Sequence, residues 1–229
     1  MGRDEGCWLA SGVGSEFAPL TCLRTSDGQL ADTGRMSQTK ADAEKADRAL
    51  GGWSVWRMAR VCTSIFVLMV ALYYLMVAFD NITNPTNPNA SNWPFVQGVL
   101  SGDGVPADSG FQYRFIDAEW FQVVSYIGII TCESLTGLLL VVAGVLGLRR
   151  SRSCPRWGGA QKWTYAGGTL GLATFFLGFM TIGGNWFIMY LNSKFNGLEP
   201  AFQNSVMTVF MLVLVSVVLV GSHLAHEKK

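Results

Sequence analysis

Apolar residues in this chain are gathered into long runs rather than spread at amphipathic spacing, and polar connections separate the runs. Four of them, at about 61–79, 121–148, 164–191 and 202–221, are long enough to cross about 30 Å of hydrocarbon at about 1.5 Å per helical residue. The pattern predicts an all-α membrane protein, a four-helix transmembrane bundle over residues 53–222. A polar N-terminal extension (1–52) precedes it, a basic tail (223–229) follows, and a structured loop joins the first two helices. Residues 1–52 carry both charge signs without hydrophobic periodicity, the composition of a segment with little apolar surface to bury. Its acids, among them Asp4, Glu5, Glu16 and Asp27, are unlike those of an ordinary transit peptide. A plain extension and a targeting segment both stand as readings.

The stretch Phe175 to Phe202, FFLGFMTIGGNWFIMYLNSKFNGLEPAF, interrupts the third run with a Gly-Gly-Asn-Trp step and an Asn-Gly turn. Lipid anchoring needs neither glycines nor amides, so the segment points to a packing or binding surface. At helical spacing Glu133, Gly137, Leu140, Gly144 and Gly147 form one stripe on the second run, and Gly167, Gly171, Thr174, Gly178, Thr181 and Asn185 form one on the third. Small residues mark close helix contact in membranes. The two stripes are therefore expected to face each other, with Gly137, Gly144, Gly167, Gly171 and Gly178 as packing positions.

Glu133 is the one carboxylate inside a predicted span, and its stripe turns it into the bundle. An intramembrane acid is costly and marks a functional site by default. The plainer reading is a carboxyl donating one interhelical hydrogen bond. Its rivals are a proton relay, a quinone or lipid headgroup contact, and a docking point for a partner subunit. Asn81, Asp103, Asn185 and Trp186 join it as candidate interaction or ligand site residues; for Trp186 and Tyr190 the aromatic belt at the membrane boundary is the plainer account. Asn196-Gly197 reads as a turn pair with positive φ.

Basic residues fix an expected orientation. Arg57 and Arg60, then Arg149, Arg150, Arg152, Arg156 and Lys162, then Lys228 and Lys229 fall on one side of a chain that crosses four times. The positive-inside rule places both termini there. The opposite connection, Asp80 to Trp120, holds Asp103 and the aromatic residues Trp93, Phe95, Phe111, Tyr113 and Phe115; Pro85, Pro88, Pro94 and Pro106 break it up. It is expected to fold as a cap. Asn81-Ile82-Thr83 and Asn89-Ala90-Ser91 fit the glycosylation sequon, a weak signal, and turn or helix-cap residues are the preferred reading.

Composition narrows the chemistry. Half the residues are hydrophobic, 14% are charged and the net charge is +1, which gives nucleic acid no basic stripe to bind. Cys7, Cys22, Cys62, Cys132 and Cys154 form no CxxC pair and have no histidine at ligand spacing, so no metal site is expected. Cys62 and Cys132 read as small apolar fillers. His223 and His226 sit in the tail, away from Glu133, and no acid–base pair is evident.

Residues 57–221 resemble the small bacterial integral membrane proteins catalogued as domain of unknown function 2165. The resemblance is carried by Ile182-Gly183-Gly184-Asn185-Trp186-Phe187, Met189-Tyr190-Leu191-Asn192, Phe195-Asn196-Gly197 and Ala201-Phe202-Gln203, with Asn81, Asn92, Phe95-Val96, Val99-Leu100-Ser101, Asp103 and Glu133. Where the family carries a carboxylate in the third-span signature this chain has Asn185, and the family's loop histidine and methionine correspond to Gly98 and Gly102. Loss of ionisable groups with retention of glycines and Trp implies a structural subunit rather than an enzyme. The expectation is a non-catalytic accessory subunit of a multisubunit energy-transducing membrane complex of the respiratory chain, in contact with lipids and other membrane subunits. The mitochondrial inner membrane is the expected compartment and a bacterial-type plasma membrane the alternative. The rival function is a small transporter or a quinone- or lipid-binding protein using Glu133 and Asn185. No cofactor is expected beyond a bound lipid or quinone.

Overall fold

In the computed structural model the described residues are 54–83, 85 and 92–227, together with Gln38, Ala41 and Asp42. The extension reading of residues 1–52, apart from those three, the Asn89-Ala90-Ser91 sequon and the terminal lysines lie outside them. The chain divides into Met1–Ala49 and Leu50–Lys229, and every element below belongs to the second unit. These are α1 (Val55–Thr83), α2 (Trp93–Ser101), α3 (Glu119–Arg150), α4 (Cys154–Leu172) and α5 (Leu198–Glu227), with a π-helical segment, Ala173–Trp186, continuing α4. Among the described residues there is no strand.

Four helices are long and apolar enough to span a membrane: Val55–Thr83, Glu119–Arg150, Cys154–Trp186 and Leu198–Ala225. Each outruns its hydrophobic run, because helix continues through polar boundary residues once the apolar centre is fixed. The third differs most from expectation, beginning at Cys154 rather than 164 and ending at Trp186 rather than 191. Pro155 lies in its first turn, where a fixed φ and a missing N–H suit a helix start. The connection from α3 shrinks to Ser151, Arg152 and Ser153, so Arg156 and Lys162 lie on α4 and not in a loop.

The glycine stripe of α3 is buried as a face; Gly137 and Gly144 pack on α1, while Leu140 and Gly147 also meet the third span. A Cβ at Gly137 would meet Leu75 at 2.7 Å, one at Gly144 would meet Leu68 at 2.5 Å, and one at Gly147 would meet Ser64 Oγ at 2.5 Å. Close backbone approach is what these positions supply. On α4, Gly167 fits under Leu139 and Leu140 of α3, Gly168 under Leu212 of α5, and Gly171 under the Tyr74 hydroxyl of α1. The third span thereby touches all three others. Val67, Ala71, Tyr74, Leu140, Trp157 and Met211 fill the centre.

At the end where α3 turns into α4, Arg60 of α1 donates from Nε to the Ser151 carbonyl (2.8 Å) and from Nη1 to Ser222 Oγ of α5 (3.1 Å). Trp157 Nε1 donates to Ser64 Oγ (3.0 Å) beside it. The start of α1 and the end of α5 therefore share one end of the bundle. Cys62 is exposed on α1 rather than filling the interior.

The opposite end carries the cap. Pro94, expected to interrupt helix, lies in the first turn of α2, which ends at Gly102 in the left-handed region (φ 74°). The connection after the third span is laced to it: Asn192 Nδ2 donates to the Asp103 carbonyl (2.8 Å) and Ser193 N to the Gly104 carbonyl (3.1 Å). Asn192 Oδ1 accepts from the backbone N–H groups of Lys194 and Phe195. Two phenylalanines reciprocate across this seam, Phe195 covering Gly98 and Phe95 covering Gly197. Gly197 does not have positive φ; it is small because a Cβ there would meet the Phe95 ring at 2.6 Å. Asn196 Oδ1 accepts from Leu198 N (3.2 Å), helping to start α5.

Candidate functional site

Glu133 is 2% exposed and Asn81 1%. Asn81 Nδ2 donates to Glu133 Oε2 (3.0 Å), Asn92 Nδ2 donates to Asn81 Oδ1 (2.9 Å), and the Tyr126 hydroxyl donates to the Asn81 carbonyl (2.9 Å). One amide near the end of α1 thus joins α3 and the residue that precedes α2. Glu133 accepts this interhelical hydrogen bond through Oε2. Asn81, read as a turn or cap residue, is an interior helix residue whose side chain is fully engaged. Tyr126 and Asn92 complete the latch; Tyr126 lies seven residues before Glu133, on the stripe's own extension, and that spacing is the signal that would have found it.

Asn185 and Trp186 lie elsewhere. Both are exposed, and the reason is the π-helix: hydrogen bonds now run to the fifth preceding residue, as in Thr181 Oγ1 to the Phe176 carbonyl and Phe187 N to the Ile182 carbonyl. The wider turn carries the stripe off its α-helical course. Gly167, Gly171 and Thr174 remain buried, whereas Thr181 and Asn185 emerge. Glu133 and Asn185 share no partner and form no joint site. Asn185 Nδ2 reaches its own Met180 carbonyl (3.3 Å), and its carbonyl accepts from Arg114 Nη1 (3.2 Å). The Arg114 guanidinium is 5.5 Å from the Trp186 ring and 4.7 Å from Phe111. Just beyond, buried Ile188 has φ 47°, a left-handed conformation rare for a β-branched residue and a strain of about 1–3 kcal/mol.

Between α2, the cap-end half of α3 and the π-helical segment runs a groove of about 430 Å³, within the size range of small-molecule sites. Phe95, Val96 and Val99 form one wall, Phe121 and Ile129 another, Phe179 and Ile182 the third. Ser125, Thr174 and Cys132 are the polar or polarizable members, and Thr174 Oγ1 is turned to its own Leu170 carbonyl (3.0 Å). Gly178, expected at a helix contact, lines this groove; a Cβ there would meet nothing nearer than the Ala173 carbonyl at 3.6 Å. At Gly128, also in the lining, a Cβ would meet nothing within 4 Å. These two glycines leave room, in contrast to those that bring helices together.

Asp103 holds the cap seam. Its carboxylate pairs with Lys194 Nζ at 2.9 Å, both side chains more than half exposed. Gly98 and Gly102 are small because aromatic rings of the cap cover them: the Phe195 ring occupies the space beside Gly98, and the Phe115 ring lies 2.5 Å from a Cβ at Gly102. Among the described residues no cluster of His, Cys, Asp and Glu has the arrangement of a metal site.

Helix lengths, glycine contacts and the buried amide–carboxyl latch define a multi-pass integral membrane protein. Residues 59–218 match the family described as predicted small integral membrane protein (DUF2165), and the chain belongs to that family. No curated protein and no solved structure matches the chain.

Proposed function

We propose that the protein is a non-catalytic accessory component of its membrane that works by holding a long hydrocarbon chain, of a lipid or an isoprenoid quinone, in the groove between α2, α3 and the π-helical segment. The observation that carries this reading is the pair Gly128 and Gly178, which leave the groove open, in contrast to Gly137, Gly144, Gly167 and Gly171, which neighbouring helices cover. Two further features support it. Glu133 is engaged by Asn81 in a buried network joining helices, an arrangement suited to rigidity and not to proton exchange. The laced cap holds α2 as one wall of the groove.

A multisubunit energy-transducing complex is the setting in which such a component fits best, with the mitochondrial inner membrane as the compartment suggested by the N-terminal extension. Purification of the full chain in mild detergent, followed by solvent extraction and native gels, tests both parts. The groove reading expects a stoichiometric lipid or quinone in the extract, reduced at least several-fold by Gly178→Leu. Recovery without any apolar molecule would refute it. The assembly reading expects a band larger than the chain and co-purifying subunits; migration as a monomer alone would refute that part.

A further inference from the structure

We infer that the groove is one half of a site for a single anionic phospholipid, and that Arg114, bonded to the chain segment that forms one wall, binds that lipid's phosphate. The inference rests on the groove reading and adds the headgroup.

Arg114 is tied to the same stretch of chain that forms one wall. Its Nη1 donates to the carbonyl of Asn185, which lies between Gly183 and Phe187, both groove residues. Its Nε donates to the Tyr113 hydroxyl (3.2 Å). Phe111, Tyr113 and Trp186 surround the guanidinium at 4.7–5.5 Å from their ring centroids. Tyr113 and Trp186 are well exposed, as aromatic residues at the hydrocarbon–headgroup boundary are. The cation is oriented by neutral partners: among the described residues no carboxylate pairs with it, whereas Lys194 is paired with Asp103. An arginine held this way keeps its charge and further N–H donors for an oxyanion, and phosphate suits the planar fork.

The rest of the lipid follows from the groove. Its walls are apolar and it lies beside the π-helical segment Ala173–Trp186, the last part of the third span. An unfilled apolar space forfeits dispersion contacts along its lining, and the surrounding bilayer supplies acyl chains to fill it. Gly128 and Gly178 give that chain width in the middle, where a larger side chain would block it. Charge complementarity then selects a headgroup with net negative charge over a zwitterionic one.

Native mass spectrometry of the full chain, released from micelles containing equal phosphatidylglycerol and phosphatidylcholine with identical acyl chains, reads the result. The wild-type chain is expected to retain one lipid, with phosphatidylglycerol preferred roughly fivefold, the effect of one basic residue near a membrane surface. Arg114→Gln should keep one lipid and lose the preference. Gly128→Leu and Gly178→Leu should each lose lipids of both kinds. Equal retention of the two lipids by wild type would overturn the headgroup assignment even if every variant failed to fold, as would a preference that survives in Arg114→Gln. Undiminished lipid in folded Gly128→Leu and Gly178→Leu would overturn the groove itself, and so the reading beneath.

Discussion

Replacing Asn81 with alanine breaks the latch at its centre. Two side-chain hydrogen bonds disappear, to Glu133 at 3.0 Å and from Asn92 at 2.9 Å, while the Tyr126 bond to the Asn81 carbonyl can persist because it is made to backbone. Interhelical hydrogen bonds in membranes are worth about 0.6 kcal/mol on average and about 1.7 at most. Stranding a buried polar partner adds about 1–3 kcal/mol. Glu133, at 2% exposed, has no route to solvent that would soften this. Asn81→Ala should therefore cost about 2–4 kcal/mol. Glu133→Gln retains an oxygen that can accept from Asn81 and should cost less than about 1 kcal/mol. Reversible unfolding of the purified chain in bicelles, followed by tryptophan fluorescence, gives both values. A double-mutant cycle with Glu133→Ala isolates the coupling between the two side chains. A loss below about 0.5 kcal/mol for Asn81→Ala, or an equal loss for Glu133→Gln, would refute the latch as a structural device.

The two kinds of glycine should separate in the same assay. Gly144→Val forces a side chain against Leu68 and the Ser64 carbonyl and should cost about 1–3 kcal/mol by overpacking, whereas Gly128→Ala has open space and should stay within about 0.5 kcal/mol. In the cap, Lys194→Ala removes an exposed ion pair and should cost less than about 1 kcal/mol. Asn192→Ala removes a donor to Asp103 and an acceptor for two backbone N–H groups, and a cost of about 1–3 kcal/mol is expected from the melt.

The spans were legible because hydropathy acts along one dimension: an apolar run must cross the membrane whatever packs beside it. The stripe on α3 was legible as a buried face for the same local reason. Its partner was not, since Gly137 and Gly144 could meet either neighbouring helix and the choice of α1 depends on tertiary register. The π-helical segment defeated the spacing argument for Gly178, Thr181 and Asn185, because a 3.6-residue period was extended through turns that do not have it. Asn81 and Glu133 are 52 residues apart, and nothing in their local sequence pairs them. The groove was invisible for a related reason: an empty space has no sequence of its own, and its glycines look like packing glycines until their neighbours are known.

Arg60 imposes an order of assembly on the chain. It lies early in the first membrane helix, yet its acceptors come 91 and 162 residues later, at Ser151 and Ser222. A chain inserted from its N-terminus carries that guanidinium into the boundary of the bilayer before either acceptor has been synthesised. Ser151, just after α3, supplies the carbonyl; α5 supplies the Ser222 hydroxyl that finishes the set. This end of the bundle can therefore close only once α5 is in place.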